Sequence, residues 1–128
     1  MVWEEELALS LRKVTIDFNL FRRCMRDSVD RLTTYFKQYE IPYEVTSDLE
    51  SYIIISGYKS IVIRQGENGS VVISSTDEND DFHIEIRAWK GTYLIKYYNS
   101  ERNVKSVYFL TEDLINELIC DVMFQNKE

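Results

Sequence analysis

Apolar residues stand at Leu7, Leu11, Val14, Phe18, Phe21, Met25, Val29, Leu32, Phe36 and Tyr39, each three or four positions beyond the last. Side chains at that spacing share one stripe of an α-helix, so the first third of the chain reads as one long N-terminal helix. Leu9, Ile16, Leu20 and Cys24 widen the stripe beyond the usual face of a surface helix. Such a helix is either wrapped by a sheet or shared with a second copy, and a homodimer through it is one expectation. The run Val14-Thr15-Ile16-Asp17-Phe18-Asn19-Leu20 also alternates with period two and is rich in β-branched residues. That is the pattern of a strand between two shorter helices. Of the two readings the continuous helix is preferred.

The helix should end near Ile41-Pro42, because proline disfavours the α conformation of the residue before it and lacks the N–H that would continue the ladder. From there to Phe109 short β-branched and aromatic stretches alternate with Gly, Asn and Asp. The predicted strands are 43–46, 52–56, 60–65, 70–75, 82–88, 92–98 and 104–109. Several of the connections, including Gly57-Tyr58, Gly66-Glu67-Asn68-Gly69 and Trp89-Lys90-Gly91, are too short for a parallel crossover and contain the residues that tight turns require. The sheet is therefore expected to be an antiparallel meander of about six or seven strands.

Faces are clearest in the later strands. Phe82, Ile84, Ile86 and Ala88 alternate with His83, Glu85, Arg87 and Trp89, which puts one set in a core and the other toward water. The next strand carries apolar bulk on both sides, with Tyr93, Ile95 and Tyr97 against Leu94, Lys96 and Tyr98. Thr111 can cap a closing helix whose first turn holds Glu112 and Asp113, both favourable at the positive end of a helix dipole. Leu114, Ile115, Leu118, Ile119, Val122 and Met123 give that helix a broad apolar stripe to lay on the sheet. The fold class expected is α+β in a single domain, 1–128: a long N-terminal helix, an antiparallel meander, and a C-terminal amphipathic helix packed on it.

Charge narrows the classes of partner. The chain of 128 residues has 15 Lys and Arg against 22 Asp and Glu, a net charge of −7. Residues 1–40 balance at seven of each, residues 41–81 carry two basic against eight acidic, and residues 82–128 carry six against seven. The negative field belongs to the first half of the sheet and its loops, which disfavours nucleic acid and suits a protein with a basic surface. The acidic start, with Glu4, Glu5 and Glu6, is unlike a signal peptide, and no apolar run is long enough to span a bilayer. Cys24 and Cys120 have neither metal-ligand nor redox spacing and read as buried free thiols in a reducing cytoplasm.

The motifs that carry chemistry are missing or incomplete. A calcium loop starting at Asp77 would have Asn79 and Asp81 in place but meets Phe82 where glycine is needed and Ala88 where the closing glutamate is needed. Gly66-Glu67-Asn68-Gly69 lacks the lysine of a phosphate-binding loop. His83 is the one histidine, with Glu85 two residues on, but no nucleophile can be assigned to it. No catalytic residue, metal or cofactor is expected. What remains is aromatic excess, nine Tyr, six Phe and two Trp, divided between a β core and an interface. The residues expected to bind a partner are Asp77, Glu78, Asp80, Asp81, Trp89, Leu94 and Tyr98. They define a non-enzymatic acidic protein-binding module, such as a small inhibitor, an immunity or anti-defence protein, an adaptor or a chaperone. The alternatives are a small-molecule or lipid pocket between sheet and long helix, and an enzyme centred on His83.

Overall fold

In the computed structural model, which describes residues 1–47, 52–55, 58–75, 82–99 and 104–124, the β-rich middle of the chain pairs in sequence order into one antiparallel sheet. Its body is β2 (Tyr52–Ile55), β3 (Lys59–Gln65), β4 (Val71–Ser75), β5 (His83–Trp89) and β6 (Thr92–Tyr98). Two short pieces, β1 (Val45–Thr46) and β7 (Lys105–Val107), extend its edges. The class is α+β with an antiparallel sheet, as the alternation predicts. Both edge strands are shorter than expected. Residues 43 and 44 follow Pro42 and stay unpaired, whereas the carbonyl of Tyr108 accepts a hydrogen bond from the Arg12 guanidinium and Phe109 lies under the same group, 4.9 Å from its centre.

The single long N-terminal helix is not found. The chain forms α1 (Trp3–Leu11), an extended stretch, and α2 (Phe18–Gln38). Between them burial alternates residue by residue, with Arg12, Val14 and Ile16 half-buried and Lys13, Thr15 and Asp17 exposed. The period-two pattern was thus the governing one, although the segment pairs with no strand among the described residues. Tertiary hydrogen bonds take the place of a ladder: Arg12 Nε donates to the Gly91 carbonyl at 3.2 Å, and the Tyr93 hydroxyl donates to the Thr15 carbonyl at 3.0 Å. Asp17 then opens α2 as its N-cap, its carboxylate accepting from the Asn19 N–H at 3.0 Å.

One core joins the sheet to two helices. Ile61, Ile63, Ile73, Ile84, Ile86 and Ile95 point from alternate positions of β3 to β6 into a cluster with Phe21, Cys24 and Met25 of α2. Ile115, Leu118, Ile119 and Val122 of α3 (Glu112–Phe124) complete it. Thr111 caps α3 as expected, its hydroxyl accepting from the Leu114 N–H at 3.2 Å. At the other end of α3 a buried cation does the capping. Lys59, 6% exposed, points inward from β3 and donates from Nζ to the carbonyls of Val122 and Met123 at 2.9 and 3.0 Å. These are acceptors that a helix leaves unsatisfied at the negative end of its dipole.

The β5–β6 hairpin is the best-specified part of the sheet, paired over its whole length from His83↔Tyr98 to Trp89↔Thr92. Its turn has positive φ at Lys90 and Gly91, 46° and 78°, which matches the right-handed strand twist. Glycine is required at the second position for another reason. A Cβ there would meet the backbone of Leu9 and Ser10, with Ser10 Cα at 2.8 Å, because the last turn of α1 rests on the hairpin tip.

Candidate functional site

Since α2 and α3 share one core with the inward isoleucines, the opposite side of the sheet is left uncovered by the described helices. Alternation along β5 and β6 places His83, Glu85, Arg87, Trp89, Thr92, Leu94, Lys96 and Tyr98 there, and none of them is buried. Register brings these residues into four directly opposed pairs: His83 with Tyr98, Glu85 with Lys96, Arg87 with Leu94, and Trp89 with Thr92. The His83 and Tyr98 rings stack with centroids 4.5 Å apart and planes 7° off parallel. Glu85 Oε1 accepts from Arg87 Nη2 at 3.2 Å and from the Tyr98 hydroxyl at 3.4 Å. A small polar network therefore pins the aromatic surface. The Nε of Arg87 is buried with no acceptor among the described residues, so a donor is left over on this face.

Trp89 and Tyr98 are 51% and 37% exposed, and Leu94 is half-buried between them. All three expected interface residues lie on the open face. They do not form one spot, because six residue steps along β5, about 20 Å at the strand rise, separate Trp89 from the His83–Tyr98 stack. Lys90 lies over the Trp89 ring with its Nζ 5.2 Å from the centroid. Asp77, Glu78, Asp80 and Asp81 lie outside the described residues. In sequence that acidic stretch falls between β4 and β5.

The face itself carries a different sign from the chain. Among the described open-face residues of β3 to β6, Arg64, Arg87 and Lys96 stand against Glu85 alone. The strands thus contribute cations and aromatics. The acidic excess of the first half of the sheet must come from its connections, Glu44 and Glu67 among the described residues. Segment tallies could not reveal this, because they do not separate a strand face from the loop beside it.

His83 acquires a neighbour that sequence alone does not give it: Ser74 of β4 is its direct cross-strand partner on the open face. The thiols are elsewhere, on the helices beneath the sheet. Cys24 is buried, and desolvation raises its pKa above the usual thiol value, with Glu112 and Asp27 pushing the same way and Arg23 and Arg31 opposing. Cys120 is exposed, contrary to the expectation that both thiols are buried. It sits on the outward side of α3, beside a groove shared with α2.

Two clefts lie away from the open face. One, of about 380 Å³, is bounded by the end of α2 and the 41–45 segment, with Phe36, Ile41, Pro42, Tyr43 and Val45 in its lining. The other, of about 250 Å³, is the α2–α3 groove. Among the described residues no three His, Cys, Asp or Glu side chains gather as a metal site would, and no helix is long and apolar enough to cross a membrane. The fold and this surface define an α+β protein with a helix-backed antiparallel sheet and one uncovered aromatic face. Compared with known family models, curated proteins and solved structures, the chain matches none.

Proposed function

We propose that the chain is a non-enzymatic, cytoplasmic protein-binding module, in the manner of a small inhibitor, an immunity or anti-defence protein, an adaptor or a chaperone. It docks a basic partner through its sheet face and loops, the acidic stretch at 77–81 meeting the partner's cations while Trp89, Leu94 and Tyr98 serve as apolar anchors on the open face of β5 and β6, whose own described charges are mostly cationic. The observation that carries this reading is the exposure of Trp89 and Tyr98 on paired strands, with no element among the described residues covering them. Large aromatic side chains held in place lose little rotamer freedom on binding and act as anchors. The 20 Å span argued from the strand rise fits within the roughly 800 Å² per partner of an ordinary interface. Two free thiols, one of them buried, suit a reducing compartment.

The test is affinity purification of the tagged chain from its native cells, followed by native mass spectrometry of the complex and of the Trp89→Ala and Tyr98→Ala variants. A stoichiometric protein partner is expected, with affinity lowered about tenfold or more by Trp89→Ala, as for an interface anchor. A partner indifferent to both substitutions removes the open face from the reading, and recovery of the chain with no protein partner removes the reading itself.

A ligand-binding role is the second reading, because the 380 Å³ cleft between α2 and the 41–45 segment lies in the size range of small-molecule sites. A copurifying small-molecule mass that is lost on Phe36→Trp would favour it.

A further inference from the structure

We propose that α1 of one copy docks in the groove between α2 and α3 of a second copy, so that the protein pairs through two reciprocal helix-in-groove contacts. The inference stands apart from the partner-binding reading, whose face is on the other side of the sheet.

α1 is nine residues long with none of them buried. An isolated helix of that length is marginal in water, so something should cover it. Its apolar side points the wrong way for its own fold. At 3.6 residues per turn, Trp3, Leu7 and Leu11 fall within an arc of about 80°, and Leu9 lies on the far side of the helix from that arc. The last turn rests on Gly91 with Leu9 half-buried, while Trp3, Leu7 and Leu11 remain 70%, 50% and 77% exposed.

The α2–α3 groove has the complementary features. Leu32 and Tyr35 line it from α2, and Ile119, Met123 and Phe124 line it from α3. Its volume of about 250 Å³ is below the usual range of small-ligand sites, though it can take large apolar side chains. Length agrees, since nine helical residues rise about 13 Å and the groove follows α3 from Asn116 to Phe124, about 12 Å.

Local charge agrees with this occupant. α1 holds Glu4, Glu5 and Glu6 and no cation, a net −3; of the two groove helices α2 is net +3 and α3 net −4, so the complementarity rests on the side chains that line the groove and not on the helix totals. Arg31 is the one charged residue lining the groove among the described residues. An acidic helix with an exposed apolar side and an apolar groove lined by Arg31 are therefore both uncovered by any described residue of the same chain. No residue of α1 lines that groove, and α1 is held at the hairpin tip by its contact with Gly91 and by Arg12 bonded to the carbonyls of Gly91 and Tyr108. The match is thus satisfied between copies, with the self-complementarity that a two-fold pair requires.

Exposed Cys120 lies in the groove and serves as a reporter, while buried Cys24 stays silent. The Leu7→Cys chain is incubated with oxidised glutathione, and light scattering reads the mass of the wild-type chain over a dilution series. Twice the chain mass is expected for the wild type. In the variant, the thiol introduced at position 7 of one chain should form a disulfide with Cys120 of the other, and that crosslink should disappear in Leu7→Cys/Cys120→Ser. Arg31→Glu, with an unchanged circular dichroism spectrum, should raise the dimer dissociation constant about tenfold or more. A monomeric wild-type mass overturns the proposal, as does a disulfide from position 7 to Cys120 within one chain, which would put α1 in its own groove. Linkage of the two introduced thiols to each other alone overturns the groove geometry. Should Leu7→Cys fail to fold, the wild-type mass and the Arg31→Glu shift decide.

Discussion

Two side chains hold left-handed backbone that they disfavour. Glu40 has φ 56° just beyond α2, where the Ile41 N–H reaches back to the Phe36 carbonyl at 2.8 Å, the bond that closes a helix with a left-handed residue, usually glycine. Lys90 has φ 46° at the first position of the hairpin turn, where asparagine is the favoured residue before glycine. A residue with a Cβ gives up about 1–2 kcal/mol in that conformation. Glu40→Gly and Lys90→Asn should each raise unfolding stability by about 0.5–1 kcal/mol in urea titrations, and a loss of stability in either would contradict the turn geometry. The cysteines make a second contrast. Because folding raises the Cys24 pKa, the folded state keeps the proton longer than the unfolded one does. The stabilising contribution is intact below the ordinary thiol value and is lost as pH climbs through the raised one. Iodoacetamide at pH 8 should therefore modify Cys120 readily and Cys24 only on unfolding; comparable rates would show that the core around Cys24 opens.

Elements depend on each other in ways that their own sequences do not announce. No basic residue stands in the last turn of α3, and its terminal carbonyls are met instead by Lys59 from β3. Lys59→Met keeps most of the buried stem but leaves those acceptors without a charged donor, at a cost of about 1.5–3 kcal/mol. Chemical denaturation should show that loss together with faster amide exchange in the last turn of α3, and an unchanged midpoint would refute the capping role. The same non-locality explains what was legible in advance. β6 was readable to the residue because alternation, a closing glycine turn and β-propensity agree over Thr92–Tyr98. The break in the first helix was not, because its three- and four-residue spacing persists across a stretch whose backbone is fixed by Gly91, Tyr93 and Tyr108, 78 to 96 positions away. Lys59 was equally hidden, since a lysine next to a predicted strand gives no sign of the helix end it will meet.

At the level of the whole molecule, charge is sorted by layer. The −7 total is built from acidic α1, acidic α3 and the loops, while α2 and the described open face carry cationic excess. Which of Trp89, Leu94 and Tyr98 share a face was legible from alternation, but the sign of that face was not, because a tally along the chain mixes strand faces with the turns between them. The arrangement divides binding into two separable parts. The acidic stretch at 77–81 is close in sequence to the Tyr98 end of the face and can steer a basic partner from a Debye length away, about 10 Å at 0.1 M salt, whereas Trp89 can act only after contact. Neutralising Asp77, Glu78, Asp80 and Asp81 as their amides should therefore lower the association rate and flatten its salt dependence with little change in dissociation. Trp89→Ala should do the reverse, accelerating dissociation and leaving association nearly as fast. For the wild type, surface plasmon resonance should show the on-rate falling about tenfold or more between ~20 mM and ~0.5 M salt. An on-rate that ignores salt would remove the acidic stretch from the docking surface and leave the aromatic face to carry recognition without electrostatic steering.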